Sequence, residues 1–185
     1  DGLGRALQTI NVDASPDGND IVATTGYDSN GRETAQVLPF SYNSNGKFVH
    51  NAGYKSNAFN NDNYSSSVTK FESSPLNRVS RSYKPGEIYQ SENSQHYVEY
   101  SYDVNTENEV KCLSLNSNST IVVSGNHPAN TLRKTAVTNE DGVELITFVN
   151  SEGKTILERR VVDTDNYADT YFVYDVKNLL RWVIS

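Results

Sequence analysis

The sequence has little of what several common protein classes require. It contains a single cysteine, Cys112, which excludes an internal disulfide, and it contains no methionine. No apolar stretch approaches the length of about 18 residues that suggests a membrane-spanning helix. The net charge is −7, and no basic run offsets it, since Arg159-Arg160 is only a pair. Nonspecific binding to nucleic acid or to an anionic membrane is therefore disfavoured.

Apolar residues make up only 36% of the 185-residue chain, below the usual range of about 45–50%. Twelve tyrosines and six phenylalanines supply much of the missing apolar area, because aromatic rings bury well while tyrosine keeps a polar tip. This composition suits sheets with one solvated face. We expect one domain over residues 1–185 and, because the chain begins and ends close to copies of a repeat described below, a segment of a longer protein.

Turn signals between alternating segments predict antiparallel hairpins. Asp141-Gly142, Asn30-Gly31 and Glu152-Gly153 each separate two such segments. Asp-Gly is the strongest of these signals, because both residues tolerate positive φ in a type I′ turn. Long apolar patterns with helical spacing are absent, so that little helix is expected beyond a single turn near 128–131. The sequence therefore predicts an all-β chain of antiparallel hairpins.

Residues 41–70 interrupt the hairpin pattern with many Asn, Ser and Tyr residues. We interpret this stretch as a polar insertion with a short strand at Lys47–His50, after the turn signal Asn45-Gly46. It could be a ligand-contacting loop, since loops often carry function. Its polar, low-complexity composition favours a solvated connection.

A short phrase recurs along the chain. It is clearest as Tyr27-Asp28-Ser29-Asn30-Gly31-Arg32, and weaker copies start at positions 1, 102, 148 and 174. The acidic or Asn positions of the copies, 1, 28, 103, 150 and 175, are separated by roughly one, three, two and one times about 25 residues. A period of this size indicates a repeat architecture in which no unit buries its apolar face alone.

Each copy is interpreted as a hairpin tip, so that successive hairpins lie side by side in a curved sheet. The aromatic residue ends a strand and packs inward, the Asp or Asn bonds backbone N–H groups, the Gly adopts a positive φ, and the Arg or Lys opens the returning strand. The predicted structural residues are Asp1, Gly4, Arg5, Tyr27, Asp28, Gly31, Arg32, Tyr102, Asp103, Asp141, Gly142, Phe148, Asn150, Gly153, Tyr174 and Asp175.

Residues that could carry chemistry are sparse. His50, His96 and His127 share no spacing motif, and Cys112 lies in an alternating, strand-like segment. The acidic cluster Asp163, Asp165 and Asp169 spaces oxygen ligands as a calcium loop does. It lacks the glycine at loop position six and the acidic residue at position twelve, which makes it a weak metal candidate. We predict no catalytic residue and no cofactor, and we do not expect an enzyme.

The phrase Tyr-Asp-x-x-Gly-Arg resembles the motif of YD-repeat, or RHS-repeat, proteins. The stretches Phe71–Val79, Tyr83–Gly86 and Thr131–Lys134, the last followed by Asn139–Gly142, look like the N-terminal region of large RHS-repeat proteins of Bacteroides-type bacteria. The resemblance covers nearly the whole chain. It departs at Phe148 and Asn150, which replace Tyr and Asp, and after Tyr102-Asp103, where the expected Gly is missing.

The resemblance implies a spiral sheet that closes as a hollow shell around a C-terminal toxin or effector. The expected partners are then the remainder of the same chain and the enclosed domain, and the expected location is secreted or at the bacterial cell surface. The alternative is a cell-surface β module that binds a carbohydrate or a protein through Tyr- and Asn-rich strands. A hydrolase that uses acidic residues on a β scaffold is a further alternative.

Overall fold

The computed structural model describes residues 1–50, 62–91, 93–163 and 166–185. Strands account for 49% of the chain and helix for 2%, which confirms the predicted all-β fold of antiparallel strands. The chain, expected to be one domain, divides into two compact units, Asp1–Val98 and Glu99–Ser185. No helix within the described ranges has the length and apolar character needed to cross a membrane.

The first unit is a meander in which sequential strands pair as neighbours. Its strands are β1 (Gln8–Asn11), β2 (Asp20–Tyr27), β3 (Glu33–Tyr42), β4 (Ser66–Phe71) and β5 (Val79–Tyr83), followed by the short helix α1 (Glu87–Gln90). Val22 of β2 pairs with Phe40 of β3, and both pack with Val49 in the small core of this unit. Apolar residues at alternate positions thus give each strand one buried face.

The second unit contains a sheet and a separate hairpin. Its strands are β6 (Val98–Val104), which begins one residue before the unit boundary, β7 (Lys111–Leu115), β8 (Ile121–Asn126), β9 (Arg133–Thr138), β10 (Glu144–Val149), β11 (Thr155–Val161), β12 (Tyr167–Tyr174) and β13 (Leu180–Ile184). The sheet order is β6-β9-β10-β11-β12-β13, and β7 pairs only with β8 among the described strands. Six residues form the core, namely Val110, Leu132, Ala136, Ile146, Phe148 and Leu157.

The predicted insertion at 41–70 overlaps strands at both ends, because β3 extends to Tyr42 and β4 begins at Ser66. The short strand predicted at Lys47–His50 is wrong, since those residues have no strand pairing. Polar side chains hold this segment instead. Gln8 bonds the Val49 backbone in both directions, at 2.7 and 3.0 Å. The part of the insertion at 51–61 lies outside the described residues.

Asp20 anchors the same segment from the start of β2. Its side chain accepts hydrogen bonds from the Ser44 hydroxyl, from the Gly46 N–H at 2.8 Å and from the Asp13 N–H at 3.0 Å. These bonds, led by the one from Ser44, hold the pKa of Asp20 below its ordinary value. The connection is therefore fixed to the sheet by polar contacts, in a stretch with few apolar residues.

Candidate functional site: the hairpin tips

The clearest copy of the repeated phrase closes the hairpin of β2 and β3. Asp28 Oδ1 accepts hydrogen bonds from the backbone N–H groups of Asn30 and Arg32, both at 2.9 Å. The Gly31 N–H donates to the Asp28 carbonyl at 3.0 Å, and the Asp28 N–H donates to the Arg32 carbonyl at 2.9 Å. The side chain thus satisfies N–H groups that the turn would otherwise leave to water.

The same four bonds recur at other tips, each starting from an Asp or Asn that we call the anchor. The anchor side chain accepts hydrogen bonds from the N–H groups two and four residues later. The anchor's backbone carbonyl accepts from the N–H group three residues later, and its backbone N–H donates to the carbonyl four residues later. The described residues contain six such anchors: Asp1, Asp28, Asn116, Asn139, Asn150 and Asp175. One local bonding scheme is therefore repeated in both units.

The residue three positions after the anchor is left-handed at every tip. Gly31, Gly142 and Gly153 have φ near 80°, at 79°, 80° and 81°, while Asn178 at the tip of β12 and β13 has φ 60°. The predicted type I′ turn at Asp141-Gly142 is wrong, because Asp141 is not among the residues with positive φ. The turn starts at Asn139 and is a three-residue loop that ends in a left-handed residue.

The residue before the anchor marks a register shift in three hairpins. Tyr27, Val149 and Tyr174 occupy this position, and the pairing slips by one residue beside each of them. Phe71, which precedes the acidic residue Glu72, shows the same shift. Phe148 packs inward, as predicted for the aromatic residue of the phrase, but it stands two residues before its anchor, whereas Tyr27 stands one residue before Asp28. A one-residue step along a strand reverses the side chain's face, and Phe148 is a fully buried core residue with 0% exposure.

Carboxylate anchors are matched to arginine. Asp28 Oδ2 accepts from Arg32 Nε at 2.7 Å, and Asp1 and Asp175 make the same contact with Arg5 and Arg181, each at 2.7 Å. The anchors Asn116, Asn139 and Asn150 build the same turn with an amide oxygen. A charge at the anchor therefore accompanies an arginine four or six residues later, and the turn itself needs only the oxygen.

Cations at one tip lie over rings at the next tip. In the first unit, Arg5 lies 4.7 Å from the centre of the Tyr27 ring, and Arg32 lies 4.5 Å from that of Phe71. In the second unit, Lys154 lies 5.6 Å from the ring centre of Tyr174. Each cation stands four residues after its anchor and each ring stands one residue before the next acidic residue. Such a contact contributes about 0.5–1 kcal/mol at an exposed site.

The predicted tip at Tyr102-Asp103 is wrong, because both residues lie inside β6 and pair with β9. The anchor is Asn105, which is 1% exposed. Its Oδ1 accepts from the N–H groups of Thr131 and Leu132 at 3.0 and 2.7 Å, and its Nδ2 donates to the Pro128 carbonyl at 2.8 Å. This tip is thus opened by the segment 106–131, which carries the hairpin of β7 and β8.

The carboxylate anchors predict a specific loss of stability in acid. Backbone hydrogen bonds, foremost from Arg32 at Asp28 and from Leu179 at Asp175, lower the pKa of both carboxyls below the ordinary value of 3.8. A lowered folded-state pKa gives stability that is present above the unfolded value and is lost as the pH falls through the folded value. We therefore expect the midpoint temperature of thermal unfolding to decrease as the pH is lowered below about 4.

The variant Asp28→Asn separates charge from turn geometry. The asparagine still offers an amide oxygen to the turn, as Asn139 does, but it no longer offers the second oxygen that accepts from Arg32. We therefore expect a lower thermal midpoint at pH 7 and a smaller decrease of that midpoint in acid. Asp17→Asn removes the same charge from an exposed turn and is the control. If both variants change the dependence of the thermal midpoint on pH equally, the loss of stability in acid does not come from Asp28.

One family comparison covers the first unit and the whole of β6. A family model described as a domain of unknown function (DUF6443) matches residues 1–104. This is more than half of the chain. The chain belongs to the DUF6443 family. No curated protein matches it.

The DUF6443 match contains the tips at Asp1 and Asp28 and the acidic residue Glu72, and it ends one residue before Asn105. Glu72 follows the ring of Phe71 in the position of an anchor, and it accepts two hydrogen bonds from Arg78 at 2.6 and 2.8 Å. The loop here is two residues longer, since the Glu72 N–H donates to the Arg78 carbonyl. The family region thus includes three successive acid–arginine tips.

The predicted metal candidates are engaged elsewhere. Asp169 forms a two-bond ion pair with Arg159 at 2.7 Å for both contacts, and Asp163 accepts from the Asn166 amide. Asp165 lies outside the described residues. Within the described ranges, no group of three or more His, Cys, Asp or Glu side chains is arranged to hold a metal ion. Cys112 is half-buried in β7.

A cleft of about 600 Å³ lies between the β7–β8 hairpin and the sheet of the second unit. Apolar side chains of Leu113, Ile121, Val123 and Ile184 line it, beside the ion pair of Arg159 with Asp169. The hydrogen bonds that Arg159 donates to Asp169 raise the pKa of Arg159. The cleft therefore combines apolar area with charges that are already paired, which suits contact with a ligand more than proton transfer.

Sequence reasoning missed Asn105, Asn116 and Asn139 as anchors. A search for Asp or Asn followed three residues later by Gly, Asn or Ser would have found Asn116 and Asn139, because their left-handed residues are Ser119 and Gly142. Asn105 has no such signal, since the backbone groups that it bonds lie 26 and 27 residues later.

Proposed function

We propose that this chain is a non-catalytic structural segment of a bacterial RHS-type repeat shell that encloses or presents a C-terminal toxin or effector domain. The observation that carries the proposal is the contact between successive tips, with Arg5 over Tyr27 and Arg32 over Phe71. Interactions limited to nearest neighbours are characteristic of repeat architectures that extend by adding one unit at a time.

A wall needs neighbouring hairpins in a fixed register, because a slip of one residue turns every side chain to the other face. The tips at Asp1, Asp28 and Asn150 supply such a constraint. The anchor fixes the loop, the loop places the cation, and the cation contacts the next ring. The polar groups of the repeated phrase are thereby committed to structure, as at Asp28 with its three accepted bonds.

In this proposal the partners are the remainder of the same polypeptide and the enclosed domain, and the protein is secreted or displayed at the cell surface. Closing the sheet would also cover strand edges, which otherwise pair with other chains. In the proposed role, the tips of both units have the same task, which is to hold neighbouring hairpins in register.

Limited proteolysis of the full-length polypeptide, followed by mass spectrometry, tests the shell. A C-terminal segment that survives although its isolated form is digested is the expected result. Arg32→Ala should accelerate its cleavage, because the contacts with Asp28 and Phe71 are lost, whereas Lys47→Ala, at an exposed position, should not. Cleavage as fast as in the free segment would refute enclosure and favour the surface-binding alternative, with the cleft beside Arg159 as its site.

A further inference from the structure

We propose that a small cavity of the second unit binds a free organic acid, with the carboxylate of the acid at Lys154 and its apolar body against the opposite wall. The cavity has a volume of about 160 Å³. Residues of the β7–β8 hairpin, of the tip at Asn150 and of the tip at Asp175 line it. All of these elements lie within the second unit. The inference concerns this unit alone and does not rest on the proposed shell.

One wall of the cavity is apolar. Leu113 of β7, Ile156 of β11 and the rings of Tyr171 and Phe172 on β12 line it. Ile156 and Tyr171 also pack against the core of the unit, which holds this wall in place. Ligand sites commonly combine such an apolar wall with a few polar groups that orient the ligand. A ligand that fills the cavity therefore needs an apolar body.

The acidic residue of the cavity has its acceptor capacity in use. Asp175 Oδ1 accepts from the N–H groups of Lys177 and Leu179, both at 2.9 Å, and Oδ2 accepts from Nε and Nη2 of Arg181, both at 2.7 Å. An ionised carboxylate accepts about four hydrogen bonds in all. Asp175 is thus satisfied by its own tip, and Arg181 balances its charge.

Donors of the cavity remain available. Asn150 Oδ1 accepts from the N–H groups of Glu152 and Lys154. Among the described residues, no acceptor lies within hydrogen-bond distance of Nδ2 of Asn150 or Asn178. Lys154 Nζ lies 5.6 Å from the ring centre of Tyr174 and has no ion-pair partner in the same part of the chain. The cavity therefore suits a ligand group that only accepts hydrogen bonds.

Lys154 supplies the net charge of the cavity. Burial lowers the pKa of His127, the other basic residue that lines it, so that this ring is neutral at pH 7. With Asp175 balanced by Arg181, one positive charge is left. An ammonium group and a carboxylate form a charge-assisted hydrogen bond, which is stronger than a neutral one. The apolar wall favours an organic carboxylate over an inorganic anion.

Titration of the 185-residue chain with benzoate, followed by amide NMR, tests the site. We expect saturable shifts at 150–154 and 174–178, with a Kd on the order of 1 mM. The tip at Asp28, which holds its own arginine, should not shift. Benzamide, of similar shape but uncharged, and phosphate, charged but without an apolar body, should each bind at least about tenfold more weakly.

Three results of this titration would overturn the proposal. The first is the absence of saturable shifts at the two tips that line the cavity. The second is equal affinity for benzoate and for either benzamide or phosphate. The third is tighter binding of N-acetylphenylalanine than of benzoate, because the site would then serve the carboxylate at the end of a polypeptide and not a free acid.

Substitutions at Lys154 separate its charge from its place in the tip. Lys154→Gln should weaken benzoate binding at least about tenfold and leave the weak binding of benzamide unchanged. Lys154→Arg keeps a cation and should retain the Kd for benzoate within about threefold. Circular dichroism verifies that both variants fold.

Lys177→Gln is the matched control. Lys177 is exposed on the neighbouring tip and does not line the cavity, so its loss should leave the Kd for benzoate unchanged. If Lys177→Gln weakens benzoate binding as much as Lys154→Gln does, the acid responds to the overall charge of the chain, and the assigned site is wrong.

Discussion

Replacing Leu157 by alanine is expected to lower the free energy of unfolding by about 2–5 kcal/mol. Leu157 is 0% exposed and packs in the core of the second unit with Val110, Phe148 and their neighbours. Its pairing with Phe148 on β10 places it at the centre of the sheet. The loss combines the transfer of the leucine side chain with the cavity left behind, because close-packed neighbours relax only in part.

Urea titration followed by Trp182 emission measures this loss, since Trp182 lies in the same unit. Leu145→Ala is the matched control, because Leu145 lies on the neighbouring strand β10 and is 43% exposed. We expect a loss below about 1 kcal/mol there. Equal losses in the two variants would mean that the assigned core is wrong.

The all-β fold was predictable because its signals are local. Glycines at hairpin tips and alternating segments on either side of them identify strands without knowledge of distant contacts. The prediction at Asp28 and Gly31 named the residues that build the tip. The turn type at Asp141-Gly142 was wrong because the anchor, Asn139, stands two residues before the Asp-Gly pair and draws the loop into a longer turn.

Two features depended on contacts that a sequence pattern does not contain. The phrase at Tyr102-Asp103 matched in residue type, but the chain remains in β6 until Val104, and the inserted segment separates Asn105 from the groups that it bonds. Phe148 packs inward as predicted, but it lies one residue further from its anchor than Tyr27 does, and the residue beside Asn150 is Val149. Pattern and position therefore disagreed where an insertion or a one-residue shift entered a hairpin.

The division between Asp and Asn anchors shows how one turn can serve two purposes. The amide at Asn139 and the carboxylate at Asp28 both accept two backbone N–H groups. Only the carboxylate also holds an arginine, and at Arg32 that arginine contacts the next ring. The carboxylate tips thus add an ion pair to the turn, while contact with the next ring occurs both at a carboxylate tip, through Arg32, and at an amide tip, through Lys154.

Replacing Asn105 by alanine is expected to be as damaging as the core substitution, with a loss of about 3–5 kcal/mol in the free energy of unfolding. The buried amide accepts from the N–H groups of Thr131 and Leu132 and donates to the Pro128 carbonyl. Alanine would leave the N–H of Leu132, a residue that is 2% exposed, without a partner away from water, at about 1–3 kcal/mol. It would also remove the bonds with Thr131 and Pro128, at about 0.5–1.5 kcal/mol each. Asn116→Ala removes the same anchor at an exposed tip, where water replaces the oxygen, and should cost about 1 kcal/mol or less.

Asn105→Asp separates the acceptor from the donor of this amide. An ionised carboxylate keeps the bonds from Thr131 and Leu132 but turns an oxygen toward the Pro128 carbonyl, whereas a protonated one restores the donor. We expect burial and that carbonyl to outweigh the two N–H bonds, which favour the ionised form, and so to raise the carboxyl's pKa. The group then contributes stability below its unfolded value and loses it as the pH rises. The deficit of Asn105→Asp against the unsubstituted chain, measured by urea titration, should therefore be larger at about pH 7 than at about pH 4. A deficit independent of pH would show that the Pro128 contact does not stabilise the tip.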